Sequence, residues 1–133
     1  MKLTTKSEYS LLALIYMARH EASGLIKAED ICAAYNMPKK YLEQLLFTLK
    51  ENRYIKAKRG AGGGYQLAKP ANQITIAEII RLMDGALAST ESVSLNFFSH
   101  TPLEKEKKII KTLKEIRDYV ANKLENLKLS QLV

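Results

Sequence analysis

The sequence predicts a mainly α-helical fold with one small β-hairpin, and three observations lead to this prediction. Apolar residues recur at helical spacing in five stretches of the 133-residue chain. Two short alternating stretches flank a glycine-rich segment, residues 59–64, which is the pattern of a hairpin. Glycine, asparagine and proline stand between the stretches, where helices and strands are expected to end. The length and the 47% hydrophobic content suit one domain with a real core.

The first two helices are predicted from apolar spacing and from their ends. Over residues 5–20, apolar side chains recur three and four positions apart on a wide stripe, so this helix should be central to the core. Gly24 follows as a breaker. A short second helix is expected over Lys27–Tyr35, with Glu29 and Asp30 in its first turn, where the helix dipole favours anions.

The third helix begins at Pro38, whose missing N–H costs nothing in a first turn, directly after a predicted stop at Asn36. It runs through "KKYLEQLLFTLKENRY" with one apolar face and one polar face. The apolar face comprises Tyr41, Leu42, Leu45, Leu46 and Leu49. Two helices joined by so short a turn form a helix-turn-helix pattern.

The hairpin is predicted from "YIKAK" and "GYQLA", which alternate on either side of "RGAGGG". We expect Ile55 and Ala57 to face inward on the first strand, and Tyr65 and Leu67 to face inward on the second. A basic hairpin that follows a helix-turn-helix makes the predicted fold a winged helix-turn-helix, and we call this hairpin the wing.

A fourth helix is marked by Thr75 and Glu78, which have the spacing of a capping box, and by Gly85 as its stop. Ile74 can staple against Ile79 at its start. Residues 1–85 therefore complete the predicted winged helix-turn-helix domain.

The rest of the chain divides into a connecting segment, residues 86–101, and a long C-terminal helix with a tail, residues 102–133. Phe97 and Phe98 in the segment either line a small pocket or pack on the core. The helix carries a narrow apolar seam, which predicts that two copies pair as a homodimer. The seam comprises Leu103, Ile110, Leu113, Ile116 or Arg117, Val120, Leu124 and Leu127.

The formal charge of +7 is unevenly distributed. Residues 1–70 hold 12 Lys and Arg against 6 Asp and Glu, a net +6, whereas residues 71–133 hold 9 against 8. A basic surplus points to a polyanionic partner. The first half of the chain should therefore carry the surface that meets it.

The candidate DNA contacts lie at the start of the third helix and in the wing. In helix-turn-helix proteins the N-terminal residues of the second helix meet base edges, and Lys, Glu and Gln can each pair with a particular base. Gly-rich backbone can approach DNA closely, and Arg59 can enter a narrow minor groove. Lys56, Lys58 and Lys69 would contact phosphates. The predicted contacts are Lys39, Lys40, Tyr41, Glu43, Gln44, Lys56, Lys58, Arg59, Gly62 and Gly63. Alone, each has an ordinary alternative, namely a solvated helix face or a flexible hairpin.

Three segments together resemble the Rrf2 family of bacterial winged-helix transcriptional regulators: "MKLTTKSEYSLLAL", "PKKYLEQLLFTLKENRYIKAKRGAGGGYQLAKP" and "ITIAEIIRLMDG". The resemblance covers residues 1–85. It implies a dimer that binds an imperfect palindrome and usually represses, with Arg59 in the minor groove and Lys39–Gln44 at the major groove.

The sequence departs from the family in its cysteines. Many members hold an iron–sulfur cluster with three cysteines placed before the long helix, but this chain has only Cys32, on the second predicted helix. Such clusters need thiolates or occasional histidines, and His100 alone cannot replace them. We therefore expect no cofactor and no metal site. Cys32 is either a small apolar residue of the core or a thiol switch.

The sequence thus predicts a cytoplasmic, DNA-binding transcriptional regulator without membrane association. Its signal, an effector or a protein partner, is left open. It contains no catalytic set that would suggest an enzyme. The alternative is a winged-helix interaction module whose basic face docks an acidic protein partner. DNA binding would be distinguished by steep salt dependence and preference for one duplex sequence.

Overall fold

The computed structural model describes residues 1–88, 90, 93–95 and 99–133. Within these ranges it contains five α-helices and an antiparallel hairpin, so the predicted winged helix-turn-helix is confirmed. The elements are α1 (Thr5–Arg19), α2 (Ala28–Tyr35), α3 (Lys39–Glu51), β1 (Ile55–Lys58), β2 (Gly64–Leu67), α4 (Ile76–Asp84) and α5 (Lys107–Glu125).

Helix α1 is the centre of the core, as its wide apolar stripe predicts. Ala13, Leu14 and Met17 are completely buried. The inner face of α3 packs into the same cluster, together with residues of α2, β1 and α4. The α3 residues buried there are Leu42, Leu46 and Leu49. Because one face of α3 is fixed in the core, its opposite face is held outward in a defined orientation.

The turn between α2 and α3 depends on Asn36, which adopts a left-handed conformation with φ 55°. Asn tolerates this region better than most residues. The Met37 N–H donates to the Cys32 carbonyl at 3.1 Å, which closes the end of α2. Pro38 follows at φ −65° and leads directly into α3.

The wing pairs Ile55 with Leu67 and Lys58 with Gly64 at its two ends. Ile55 is buried as predicted, but Ala57 is exposed, so the prediction that Ala57 faces inward is wrong. Only the root of the hairpin reaches the core, and its tip projects into solvent.

A third extended segment, not predicted from the sequence, fixes the wing to the body. Ile26 and Tyr65 exchange both backbone hydrogen bonds, at 2.8 and 2.7 Å. Ile26 directly precedes α2, so this bridge sets the wing against the helix-turn-helix.

Helix α4 starts at the predicted capping box. The Glu78 N–H donates to Thr75 Oγ1 at 3.2 Å, and the Thr75 N–H donates to Glu78 Oε2 at 2.9 Å. Gly85 ends the helix at φ 86°, again as predicted. Ile74 and Ile79, the predicted staple, are both completely buried in the main core.

At its last residue, α4 is tied to the start of α1. The Asp84 carboxylate accepts from the Thr4 N–H at 2.9 Å, from the Ser7 hydroxyl at 2.7 Å and from the Thr4 hydroxyl. Asp84 thereby satisfies donors at the N-terminus of α1, which Thr4 does not cap with its own side chain.

The C-terminal helix differs from the prediction in its start and in its seam. A 3₁₀ turn occupies Pro102–Lys105, and α5 itself begins at Lys107. Ile110 is buried, so it is not available to a second copy. Leu124 and Leu127 pack on the chain's own apolar cluster beneath α4, and Leu127 lies beyond the end of α5.

The apolar side chains that α5 exposes are partly different from those predicted. Ile109, Ile116 and Tyr119 are 43%, 49% and 66% exposed. Leu113 and Val120, which the sequence placed in the seam, are half-buried beside them. Leu103 lies in the 3₁₀ turn and is 37% exposed. The helix therefore has one apolar flank against its own domain and a second one facing outward.

The tail after α5 returns to the DNA-binding domain. The Ile76 N–H donates to the Leu127 carbonyl at 3.0 Å, and the Leu129 N–H donates to the Ile74 carbonyl at 2.8 Å. Leu129 is completely buried in the main core. Phe97 and Phe98 lie outside the described residues. In the part of the chain that is described, no helix has the length and apolar character to cross a bilayer.

Candidate DNA-binding surface

The outward face of α3 carries the polar residues that the sequence singled out. Lys40, Glu43 and Gln44 are exposed, and they stand three and four residues apart, so they share one face. Phe47 continues this face one turn later and is 61% exposed. The sequence analysis did not select Phe47, although its helical spacing from Glu43 and Gln44 places it on the polar side.

A groove of about 580 Å³ separates this face from the wing. Side chains of α3 form one wall, the wing forms the other, and the start of α2 closes one end. Five cationic and two acidic side chains line the groove, so it is net basic. These are Lys27, Lys39, Lys50, Lys58 and Arg59, with Glu29 and Glu43.

Lys39 is paired with acidic side chains of the protein itself, and one of these is the predicted contact Glu43. Its ammonium lies 2.6 Å from Glu29 on α2 and 3.8 Å from Glu43 one turn along α3. The hydrogen bond with Glu29 raises the pKa of Lys39, and the same bond lowers the pKa of Glu29. Both side chains are more than half exposed, so the pair is weak and can exchange for other partners.

Tyr41, a predicted DNA contact, also packs against α1. It is half-buried, and its ring meets the ring of Tyr9 edge to face, with centroids 5.6 Å apart. Its position fixes the first turn of α3 against α1. Of the predicted residues on this helix, Lys40, Glu43 and Gln44 are the most available.

The wing presents Lys56, Lys58 and Arg59 to solvent, all exposed. Lys58 and Arg59 also line the groove, whereas Lys56 does not. Lys69, which follows β2, is held instead by its own domain: its ammonium is 4.0 Å from Glu78 and 4.7 Å from the centre of the Tyr54 ring.

Close backbone contacts within the protein explain two of the glycines in the wing. A Cβ on Gly63 would lie 2.2 Å from the Lys58 carbonyl oxygen, and a Cβ on Gly64 would lie 2.7 Å from the Ile26 carbonyl oxygen. Gly62 adopts φ +75°, which side chains disfavour, and has open space around it. The tight hairpin and the bridge to Ile26 therefore require Gly63 and Gly64, while Gly62 lies at the free tip.

The residues present do not fit an iron–sulfur cluster. The chain has one cysteine, and the described residues contain no group of three or more His, Cys, Asp or Glu side chains that could hold a metal ion. Cys32 lies half-buried on α2, and burial raises the pKa of its thiol, which favours the neutral form over a thiolate ligand.

These features define a class: a helix-turn-helix whose second helix stands beside a basic β-hairpin is a winged helix-turn-helix. More particularly, the chain belongs to the Rrf2 family, because the family model described as "Iron-dependent Transcriptional regulator" matches residues 3–133. The family comprises transcriptional regulators and not enzymes. The resemblance predicted from the sequence is thereby confirmed.

Individual relatives agree with this assignment. CymR of B. subtilis, described as the global cysteine regulator of that organism, superposes with a TM-score of 0.79 at 30% identity, over 99% of this chain and 95% of that one. Staphylococcus aureus CymR gives a TM-score of 0.73 at 36% identity, over 97% and 95% of the two chains.

Among curated relatives, the HTH-type transcriptional regulator IscR of Photorhabdus laumondii is 37% identical over 90 residues. That alignment covers 68% of this chain and 55% of the relative. The matches to the first curated relatives span less than two thirds of their length, at most 59%.

Proposed function

We propose that this protein is a DNA-binding transcriptional regulator that contacts duplex DNA with α3 and the wing together. The observation that carries the proposal is the net basic groove between these two elements. It places the free face of a core-anchored helix beside an exposed, cationic hairpin. A duplex is the polyanion whose grooves such a pair of elements fits.

Each part of the surface has a distinct role in this proposal. Helix α3 enters the major groove, where Lys40 can donate to guanine, Gln44 can pair with adenine and Glu43 can accept from cytosine. Arg59 at the wing enters the adjacent minor groove, where the negative potential is concentrated. Lys56 and Lys58 contact phosphates, which fix the orientation of the protein without reading sequence.

The proposed assembly is a symmetric homodimer on an imperfect palindrome. Ile109, Leu113, Ile116 and Val120 follow each other at steps of four, three and four, which is the spacing of a coiled-coil seam. They lie on the outward flank of α5. One winged helix contacts only a few base pairs, and two related by a two-fold axis read two half-sites. From its family membership, we expect the protein to repress transcription. We also expect it to act in the cytoplasm.

We further propose that the regulator works without an iron–sulfur cluster. The mismatch between its single half-buried cysteine and the ligands such a cluster needs supports this proposal. The signal is then a different effector or a protein partner, which would act on the dimer or on the wing.

The proposal is tested by selecting bound fragments from the source genome and titrating the recovered duplex. Wild-type protein should bind it at least 1000-fold more tightly than bulk DNA, as specific regulators commonly do. Affinity should fall steeply with salt. Arg59→Ala should lose about 1–3 kcal/mol of binding free energy. Lys111→Ala, which removes an equal charge from α5, is the matched control.

Two outcomes would contradict the proposal. If no duplex is enriched, and an acidic protein binds the groove instead, the alternative interaction module is correct. If Arg59→Ala and Lys111→Ala bind the duplex equally well, the wing is not part of the site.

A further inference from the structure

Phe47 occupies an unusual place for an aromatic side chain. Among the residues of α3, all of which the structure describes, it is the large apolar one that remains exposed, at 61%. It stands seven residues after Lys40, four after Glu43 and three after Gln44, so it lies at the middle of the outward face. Single exposed apolar residues are common on surfaces. An aromatic ring on the otherwise polar face of a recognition helix points to an apolar group of the bound partner that covers it.

The surroundings of Phe47 indicate what that partner is. Its ring borders the groove toward the wing, which also contains Lys50, Lys58 and Arg59. On its other side it borders a shallow depression formed with Lys40, Glu43, Gln44 and Thr48. The charges of Lys40 and Glu43 balance there, but the groove toward the wing is net basic, which favours a polyanion over the apolar surface of a protein partner.

We propose that Phe47 recognises the C5-methyl group of a thymine in the major groove of the operator; this rests on the proposed function. Phe has no donor or acceptor, so it can select only an apolar feature of the base edges. In the major groove that feature is the thymine methyl. Phe47 lies about 6 Å further along the axis of α3 than Glu43, at 1.5 Å per residue. The thymine it selects is therefore displaced along the half-site from the bases that Glu43 and Gln44 contact.

The test replaces each thymine of the selected duplex, one at a time, by deoxyuridine, which removes the methyl group and keeps every hydrogen bond. Wild-type protein should lose about fourfold in affinity at one thymine of each half-site, the two being related by the two-fold axis, because one buried methyl group contributes about that much. The Phe47→Ala variant should bind the thymine duplex more weakly than wild type does. It should bind the thymine and the deoxyuridine duplexes with the same affinity. Phe47→Leu should keep part of the discrimination.

Leu95→Ala is the matched control, because Leu95 is similarly exposed, at 67%, and lies outside α3 and the wing. It should leave both affinities unchanged, and all variants should melt at the wild-type temperature.

The results separate this inference from the proposed function. Failure of wild-type protein to select any duplex would overturn both. Specific binding without a deoxyuridine effect would overturn the inference alone, and so would an effect that persists in Phe47→Ala. Full DNA affinity in Phe47→Ala, with loss of a bound protein, would assign the ring to a protein interface instead.

Discussion

Replacing Asp84 by Asn should destabilise the protein far more than the same change at a solvent-exposed carboxylate. Asp84 accepts three hydrogen bonds from Thr4 and Ser7, and Ser7 is completely buried. The amide keeps one acceptor oxygen and turns the other into a donor, so all three bonds lose the carboxylate charge and the Thr4 hydroxyl has to accept instead of donate. Hydrogen bonds to charged groups contribute about 1.5–3 kcal/mol each, against about 1 kcal/mol for neutral ones.

The expected loss is therefore about 2–3 kcal/mol at pH 7, which lowers Tm by roughly 6–12 °C for a chain of this size. Circular dichroism melts at a fixed protein concentration measure it. Glu115→Gln is the control, because Glu115 lies exposed on α5. It should change Tm by no more than about 2 °C, since surface changes usually stay within 0.5 kcal/mol.

The pH dependence provides a second, independent check. Burial alone would raise the pKa of Asp84, but the hydrogen bonds from Ser7 and Thr4 outweigh it, and the pKa is lowered. A carboxylate with a lowered pKa stabilises the fold above its ordinary pKa and loses that contribution as the pH falls through its folded value. The gap between wild type and Asp84→Asn should thus be full at pH 7 and shrink below about pH 4. Equal melting temperatures at pH 7, or a gap that does not change with pH, would refute the reasoning.

Three further predictions address the wing, the assembly and the cofactor. Gly63→Ala brings a Cβ to 2.2 Å from the Lys58 carbonyl oxygen and should cost about 1–3 kcal/mol. It should weaken DNA binding more than Gly60→Ala, whose Cβ meets no atom within 4 Å and which is strained only by the φ of +93° at that residue, and equal losses would contradict this. Leu113→Glu combined with Val120→Glu should give monomers or insoluble protein in sedimentation experiments, whereas a dimeric double variant would show that these residues are not at the seam. Protein purified without oxygen from iron-replete cells should be colourless and still bind DNA, so a cluster absorption band with stoichiometric iron and sulfide would count against it.

The elements of the fold could be predicted because their signals are local. Thr75 and Glu78 cap α4 from three residues apart, Asn36 ends α2 with its own backbone, and the alternation around the glycines defines the hairpin. Such signals depend on neighbours in sequence, so tertiary contacts do not change them.

The features that the sequence did not yield depend on contacts between distant residues. Periodicity showed that α5 has an apolar face, but not that Ile110 and Leu124 turn toward the chain's own domain while Ile116 turns away. The bridge between Ile26 and Tyr65 involves a single residue on the Ile26 side, which is too short to show the alternating apolar pattern of a strand. The clamp at Asp84 joins positions about 80 residues apart.

The same distinction between local and distant contacts explains which parts of the candidate surface could be predicted. The position of α3 follows from its buried face, so its exposed residues could be identified. The pairing of Lys39 with Glu29 depends on how α2 crosses α3, which no spacing reveals. Phe47 was missed because the candidate contacts were taken from the start of α3, Lys39–Gln44, although helical spacing puts Phe47 on the same outward face one turn later.

The return of the tail to the residues at the start of α4 has a mechanical consequence. Because the backbone around Leu127 and Leu129 is hydrogen-bonded to Ile74 and Ile76, the last turn of α5 cannot swivel independently of the domain that carries α3. A paired α5 would then behave as a rigid spacer between the two reading heads. Half-sites on one face of a duplex recur every 34–36 Å, so even a slight rotation at the pairing helices would move one head out of phase with its half-site. An effector could switch such a dimer off by changing an angle, with every DNA-contacting side chain left as it is.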